Sequence, residues 1–344
     1  MPGVTRADPA PALAPLWRAA IGDHVNALAW APRGGLLAAA AVSGPVTLFD
    51  GATGEARHTL SGHGFGSTAL AWSADSARLA TAGQDGCVRL WDVAHGAAVR
   101  TLDGGAAWVE HLAWNPNGTL LASAAGRRLR LWDAAGDLVR EYPEQPSTIA
   151  AIAWQPRAQT LASAAYGVMA LWTPDQPEPR RRFEWKGSIL TLAWSPDARY
   201  IATGDQDSTV HFWMVKSGQD LQMWGYPRKV RELAWDGTSR YLATGGGPVV
   251  VVCDCSGKGP EGTKPKMLDA HTAPLSALAC QRAGPLLASA GEDGQVVVWE
   301  LGRWRKPRAQ YDLGEPLSHV AWAPDDRILA VGGAGGTVAV LPSP

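Results

Sequence analysis

The chain is short of several things, and each shortage excludes a class of protein. Four cysteines, Cys87, Cys253, Cys255 and Cys280, are too few and too irregularly spaced for a disulfide framework. Thirty-one basic residues against 32 acidic ones leave a formal charge of −1, so no global field draws the chain to nucleic acid or to an anionic membrane. No apolar run reaches the length of a membrane-spanning helix. The segment from Met1 to Pro15 is Pro/Ala-rich, contains Asp8 and lacks the apolar centre of a signal peptide. Helical periodicity is missing as well, since no window carries an apolar stripe at 3.6 spacing for three turns. These absences together suggest a protein of a reducing cytoplasm, without cofactor or metal. The abundance of Ala, Gly, Arg and Trp hints at a GC-rich bacterial genome.

Two residue types are in excess, with 17 tryptophans against four phenylalanines, and 39 glycines. The tryptophans recur in a phrase, aliphatic–Ala–Trp. It occurs at Leu28-Ala29-Trp30, Leu70-Ala71-Trp72, Leu112-Ala113-Trp114, Ile152-Ala153-Trp154, Leu192-Ala193-Trp194, Leu233-Ala234-Trp235, Leu278-Ala279-Cys280 and Val320-Ala321-Trp322. Successive third positions lie 42, 42, 40, 40, 41, 45 and 42 residues apart, which is the period of a four-stranded propeller blade. A second phrase follows each first one, as in Leu79-Ala80-Thr81 and Leu121-Ala122-Ser123, with turn residues such as Ser195-Pro196-Asp197 between them. An alternating strand comes next, such as Val88-Arg89-Leu90-Trp91-Asp92, and then one more short strand. The alanine present in all eight first phrases suits a crowded innermost strand, where a larger side chain overpacks.

On these residues the chain resembles the WD40 family. Trp-Asp closes a third strand at Trp91-Asp92 and Trp132-Asp133, Gly62-His63 precedes a first strand, and Asp85-Gly86 and Asp293-Gly294 match the family's turn. The resemblance covers residues 13–341 and implies an all-β, eight-bladed WD40-type β-propeller, with residues 1–12 a flexible tail and 13–341 a single domain. Eight first phrases and eight second phrases set the blade number, with seven blades plus an extra hairpin as the alternative. The eighth repeat shows three strands, and Leu13 to Ile21, with Leu16 and Trp17, offers the fourth. The ring is therefore expected to close through an N-terminal strand, leaving no open edge.

Two sets of residues look like hydrolase triads. His63, Thr81, Asp85 and Trp91 have the same spacings as His271, Ser289, Asp293 and Trp299. The resemblance implies a structural hydrogen-bond chain within one blade, with no catalytic residue among them; the Asp accepts from the His, the His meets the hydroxyl and the Trp N–H completes a buried network. Cys253-Asp254-Cys255 places two sulfurs on one face of a strand, but two further ligands for a structural zinc are not visible, and Cys253 and Cys280 occupy repeat positions held elsewhere by Trp.

What remains is a candidate partner-binding set. Trp108, Trp185 and Trp224 lie outside the repeat positions near the junctions leading into repeats three, five and six, and either present aromatic hot spots or fill space left by a missing His. Trp108 is the one read as exposed. Glu110 and His111 adjoin Trp108; Arg127, Arg228, Lys229 and Arg231 add charge on the same rim; and His111, Glu232 and His319 precede the aliphatic residue of the first phrase, where they could line the channel. The resulting expectation is a non-catalytic scaffold or adaptor that binds one or more proteins through the propeller face and is monomeric by itself. The alternatives are a propeller holding a small ligand or nucleic acid in its channel and, further off, an enzyme resembling quinone-cofactor dehydrogenases, whose longer loops this chain lacks.

Overall fold

In a computed structural model the described residues are 10–105, 108–257, 259–304 and 306–344. They form thirty strands and no helix. Each repeat opens with an innermost strand carrying the first phrase, such as Ser67–Trp72, and continues through Arg78–Gly83 and Cys87–Asp92 to an outer strand, here Ala97–Asp103. Neighbours within a repeat are antiparallel throughout.

The strands gather into seven hydrogen-bonded sheets, six of four strands and one of six. Seven blades, not eight, is thus the count of the propeller, and the expectation of eight separate blades is corrected. The eight repeats fill seven sheets because repeats four and five share one. Arg181–Trp194 runs for 14 residues without a break. Its first part pairs with Val168–Leu171 as the outer strand of repeat four, and its last part pairs Ile189 to Trp194 with repeat five. The junction entering repeat two, by contrast, is broken by Gly62 and Gly66 at φ 67° and 117°. The junction Glu184–Ser188 holds no residue at positive φ, Gly187 included, so nothing turns the chain out of the extended conformation.

The alanines and tryptophans of the repeat have a mechanical explanation. Each first-phrase alanine sits directly opposite a second-phrase alanine, from Ala29 against Ala38 through Ala321 against Ala330, and the second-phrase alanines are fully buried. Six of the seven first-phrase indoles donate back to the preceding repeat. Trp72 Nε1 donates to the Ala29 carbonyl at 3.0 Å, Trp154 to Ala113 at 2.9 Å, Trp194 to Ala153 at 3.1 Å, Trp235 to Ala193 at 3.3 Å and Trp322 to Ala279 at 3.0 Å. Trp30 closes the circle by donating to the Ala321 carbonyl at 2.9 Å. The period is therefore a clamp: a large ring packs on the neighbour while its N–H binds a carbonyl that only a small side chain leaves open. Cys280 has no such donor, and Trp114 Nε1 is buried without a partner.

Chain ends meet in one sheet. Trp17–Ala20 pairs antiparallel with Thr337–Val340, register Trp17 opposite Val340. Trp17 is buried, donates Nε1–H to the Gly51 carbonyl at 3.0 Å and lies 5.7 Å from the Phe49 ring. Upstream, Leu13 N donates to the Gln310 carbonyl at 2.7 Å, so residues 11–13 are strapped to the outer strand of repeat seven. Residues 1–9 of the expected tail lie outside the described residues.

Candidate functional site

The two polar sets are buried hydrogen-bond chains. His63 Nδ1 lies 2.8 Å from Asp85 Oδ1, its Nε2 lies 2.8 Å from Thr81 Oγ1, and Trp91 Nε1 donates to Thr81 Oγ1 at 2.9 Å. Repeat seven repeats the geometry at 3.1, 2.8 and 3.0 Å through His271, Asp293, Ser289 and Trp299. Thr81 and Ser289 are wholly inaccessible, so neither hydroxyl can meet a substrate. Arg89 Nη1 also bonds Asp85 at 2.9 Å. Burial raises the Asp293 carboxyl, but the hydrogen bonds from His271 and the Thr272 N–H overcome it and hold the group at about 2. Asp85→Ala is expected to cost about 2 kcal/mol, since it strands His63 Nδ1 in the interior; equal denaturation midpoints for variant and parent would contradict this.

Repeats five and six fill the histidine place differently, with residues that stand 18 positions before Thr203 and Thr244 as His63 does before Thr81. Tyr226 takes it in repeat six, its hydroxyl 2.9 Å from Thr244 Oγ1. Trp185 takes it in repeat five, its ring tilted by 48° against that of His211 with centroids 3.9 Å apart. That offset was the sequence signal that identifies both. Around Trp185 lie three buried polar atoms without a partner: its own Nε1, Asp205 Oδ1 and His211 Nε2. His211 Nδ1 is engaged by Asp220 at 2.9 Å, and its Nε2 is 3.8 Å from the other Asp205 oxygen. Burial, reinforced by the charge of Asp207, pushes the Asp205 carboxyl up to about 7 against the bonds from Thr209 and Thr203. Burial pushes the His211 ring down, opposed by Asp220.

The remaining candidates separate by environment. His111 and His319 are half-buried on the innermost strands, beside the backbone of Ile149 and Val25 in the following repeat, and burial holds both rings at about 4. Glu232 is mostly buried, which raises its carboxyl, and Oε2 accepts the Gly246 N–H at 3.1 Å. Arg127 donates Nε–H to the Gln145 carbonyl at 2.6 Å and lies 3.7 Å from Glu144. Glu110 is partly buried, its N–H bound to the Ala124 carbonyl at 3.0 Å. Trp108 and Trp224 are 51% and 77% exposed. Arg228, Lys229 and Arg231 are exposed and have no ion-pair partner among the described residues. Cys253 and Cys255 are buried in a core cluster with Tyr200 and Trp235, and no group of three or more potential metal ligands occurs among the described residues.

Antiparallel order dictates where the loops emerge. With four strands alternating in direction, the turn from second to third strand and the link from the outer strand to the next repeat leave from the same face. Val42, Phe65, Trp108 and Trp224 lie in such loops, and Tyr166 stands at the corresponding place within the continuous strand Leu161–Trp172. Phe65 and Tyr166 are 77% and 58% exposed. The turns of the opposite face hold no exposed large apolar side chain among the described residues. Phe65 and Tyr166 were not among the residues expected from sequence, although Phe65 stands between two glycines, Gly64 and Gly66, where nothing in the repeat calls for an aromatic ring.

An all-β ring with two intact His–Ser/Thr–Asp–Trp sets and Trp-Asp strand ends is a WD40-repeat β-propeller. The chain belongs to the IFT122 first beta-propeller family, whose family model matches residues 24–258, and residues 262–300 match the WD domain, G-beta repeat. Among curated proteins none matches. The crystal structure of the computationally designed Ika8 protein is similar in fold, with a TM-score of 0.81 at 21% identity over 94% of this chain and 97% of that one. No helix of the described residues is long and apolar enough to cross a membrane.

Proposed function

We propose that the protein is a non-catalytic scaffold that binds protein partners through the loop face bearing Phe65, Trp108, Tyr166 and Trp224. The observation that carries this reading is an asymmetry: among the described residues, the large apolar side chains exposed in the loops between strands, Val42, Phe65, Trp108 and Trp224, all lie on that face, and only Leu16, before the closing strand, is exposed outside a strand elsewhere. Water-exposed aromatics on a rigid frame are the usual anchors of a protein interface, because they bury much area at little cost in conformational entropy. Trp108, Trp224, Arg127, Arg228, Lys229 and Arg231 belong to this surface, with Glu110 at its edge. His111, Glu232, His319 and Trp185 support it from below.

The test is affinity capture from the native cell with the parent and with a Phe65→Asp/Trp108→Asp double variant of unchanged melting temperature. Proteins retained by the parent are expected to be lost from the variant at least tenfold. An identical retained set, or no specific protein on either column, overturns the reading. A second reading, binding of a polyanion, draws on the unpaired cations Arg228, Lys229 and Arg231. It predicts retention on a polyanionic resin that disappears in the triple Ala variant and at modest salt.

A further inference from the structure

A second feature of the surface begins at Trp224, on the edge of the loop face, and runs between repeats five and six. A groove of about 290 Å³ opens there, with Met223, Val251 and Cys253 as its floor and Trp224, Tyr226 and Met267 around it. Met267 is 56% exposed and stands opposite Val251 in the outer strand pair of repeat six. The floor is soft and uncharged. Cys253 is buried, its sulfur is 3.6 Å from that of Met223, and burial holds its thiol at about 11. The groove takes the place where a third-strand Trp stands in repeats two and three, because Cys253 occupies that position with a much smaller side chain.

The electrostatics of the rim are one-signed. No Asp or Glu occurs from Leu221 to Arg231 or from Thr263 to Leu268, in a chain whose overall charge is −1. Arg228 and Lys229 on one side and Lys264 on the other are exposed and have no ion-pair partner among the described residues, while Lys266, opposite Val252, stands on the sheet face turned away from Met267. An apolar slot walled by methionine and tryptophan accepts large side chains of varied shape. Unpaired cations on both sides select what flanks such a side chain and speed its approach.

We infer that this groove captures a short acidic peptide segment of a partner protein, seating one Leu, Ile, Met or Phe side chain between Trp224 and Met267 while flanking Asp or Glu residues meet Arg228, Lys229 and Lys264. The inference rests on the scaffold reading and gives that scaffold a second, chemically specified contact.

The probe is a random peptide library displayed on phage and selected on the immobilised full chain, followed by fluorescence anisotropy with one synthesised winner. Selected sequences are expected to share a large apolar residue flanked by at least two acidic ones. The winner is expected to bind at least tenfold more weakly to the exposed-site variant Trp224→Ala and at least fivefold more weakly to Lys229→Glu/Lys264→Glu. Its affinity should fall as salt is raised and be unchanged in Phe65→Ala. No enrichment, an enriched motif without acids, indifference to Trp224→Ala, or equal binding of a single-stranded oligonucleotide at the same residues overturns the proposal. If Phe65/Trp108-dependent capture persists while the library selects nothing, the groove falls and the scaffold reading stands.

Discussion

Removal of residues 1–21 is expected to lower the melting temperature by about 5–10 °C and to turn a monomer into an associating species. The strand Trp17–Ala20 is the outermost partner of Thr337–Pro342, and without it that strand presents a row of unpaired N–H and C=O groups. The loss also empties the site of Trp17, whose ring fills the space beside Phe49 and Gly54. Deleting a buried Trp side chain typically costs about 3–5 kcal/mol, before any ladder bond is counted. Leu13 and its neighbours add the strap to Gln310. Calorimetry with light scattering checks both effects. A truncated chain that melts like the parent and stays monomeric contradicts the closure.

The second large effect is a pH dependence centred on repeat five. In the folded state Asp205 holds its proton up to about 7, whereas in the unfolded chain it ionises near 3.8. Between those values the folded state binds more protons than the unfolded one, so the contribution of Asp205 is complete below about pH 4, falls as pH rises and levels off above 7. Asp205→Asn keeps an oxygen for Thr209 but has no charge to bury. The variant is therefore expected to match the parent near pH 4 and to exceed it at pH 8, by on the order of 3 kcal/mol or about 4 °C.

Neighbouring groups must be separated from this effect. His211 has a lowered pKa, so it contributes in the opposite sense, with stability rising toward its ordinary 6.5. Asp207 and Asp220 also face the pair. Asp293, held at about 2, loses its contribution only as pH falls through the acid range. Comparing parent with Asp205→Asn across pH 4–8 cancels these shared terms. A difference in stability that does not change with pH would show that Asp205 is not protonated in the fold.

The cluster also shows how a repeat accommodates lost function at one position. Where repeats two and seven place a histidine against a hydroxyl, repeat five places Trp185, and Asp207 at the position of the set's Asp accepts the Thr209 hydroxyl instead, at 2.8 Å. Trp213 still donates to Thr203 at 3.2 Å, as Trp132 does to Ser123 at 2.9 Å. The Trp–hydroxyl bond is thus the part of the set that survives substitution. It joins the second and third strands of one repeat and needs no third residue, whereas the His and Asp must come from two further loops.

Much of this architecture was determined by the sequence alone. The spacing of aliphatic–Ala–Trp identifies the repeat, because a clamp between neighbours requires a large donor and a small partner at a constant interval. The pairs His63/Asp85 and His271/Asp293 were legible as scaffolding, since identical spacing in two repeats points to a local structural role. Trp17 was legible as part of a closing strand. Other features depended on how the chain packs. Whether repeats four and five form one sheet or two turns on the backbone conformation of Glu184–Ser188, which no phrase in the sequence encodes. Trp185 and Trp224 sit at comparable junctions, yet one is wedged against His211 and the other is 77% exposed. His111 and His319 stand at equivalent positions of the repeat, and only their packing beside Ile149 and Val25 shows how far burial lowers their rings, to about 4. Sequence periodicity determines which residues recur because it reflects contacts repeated in every blade. Exposure, sheet continuity and the groove beside Cys253 arise from contacts made only once, and the tertiary structure alone decides those.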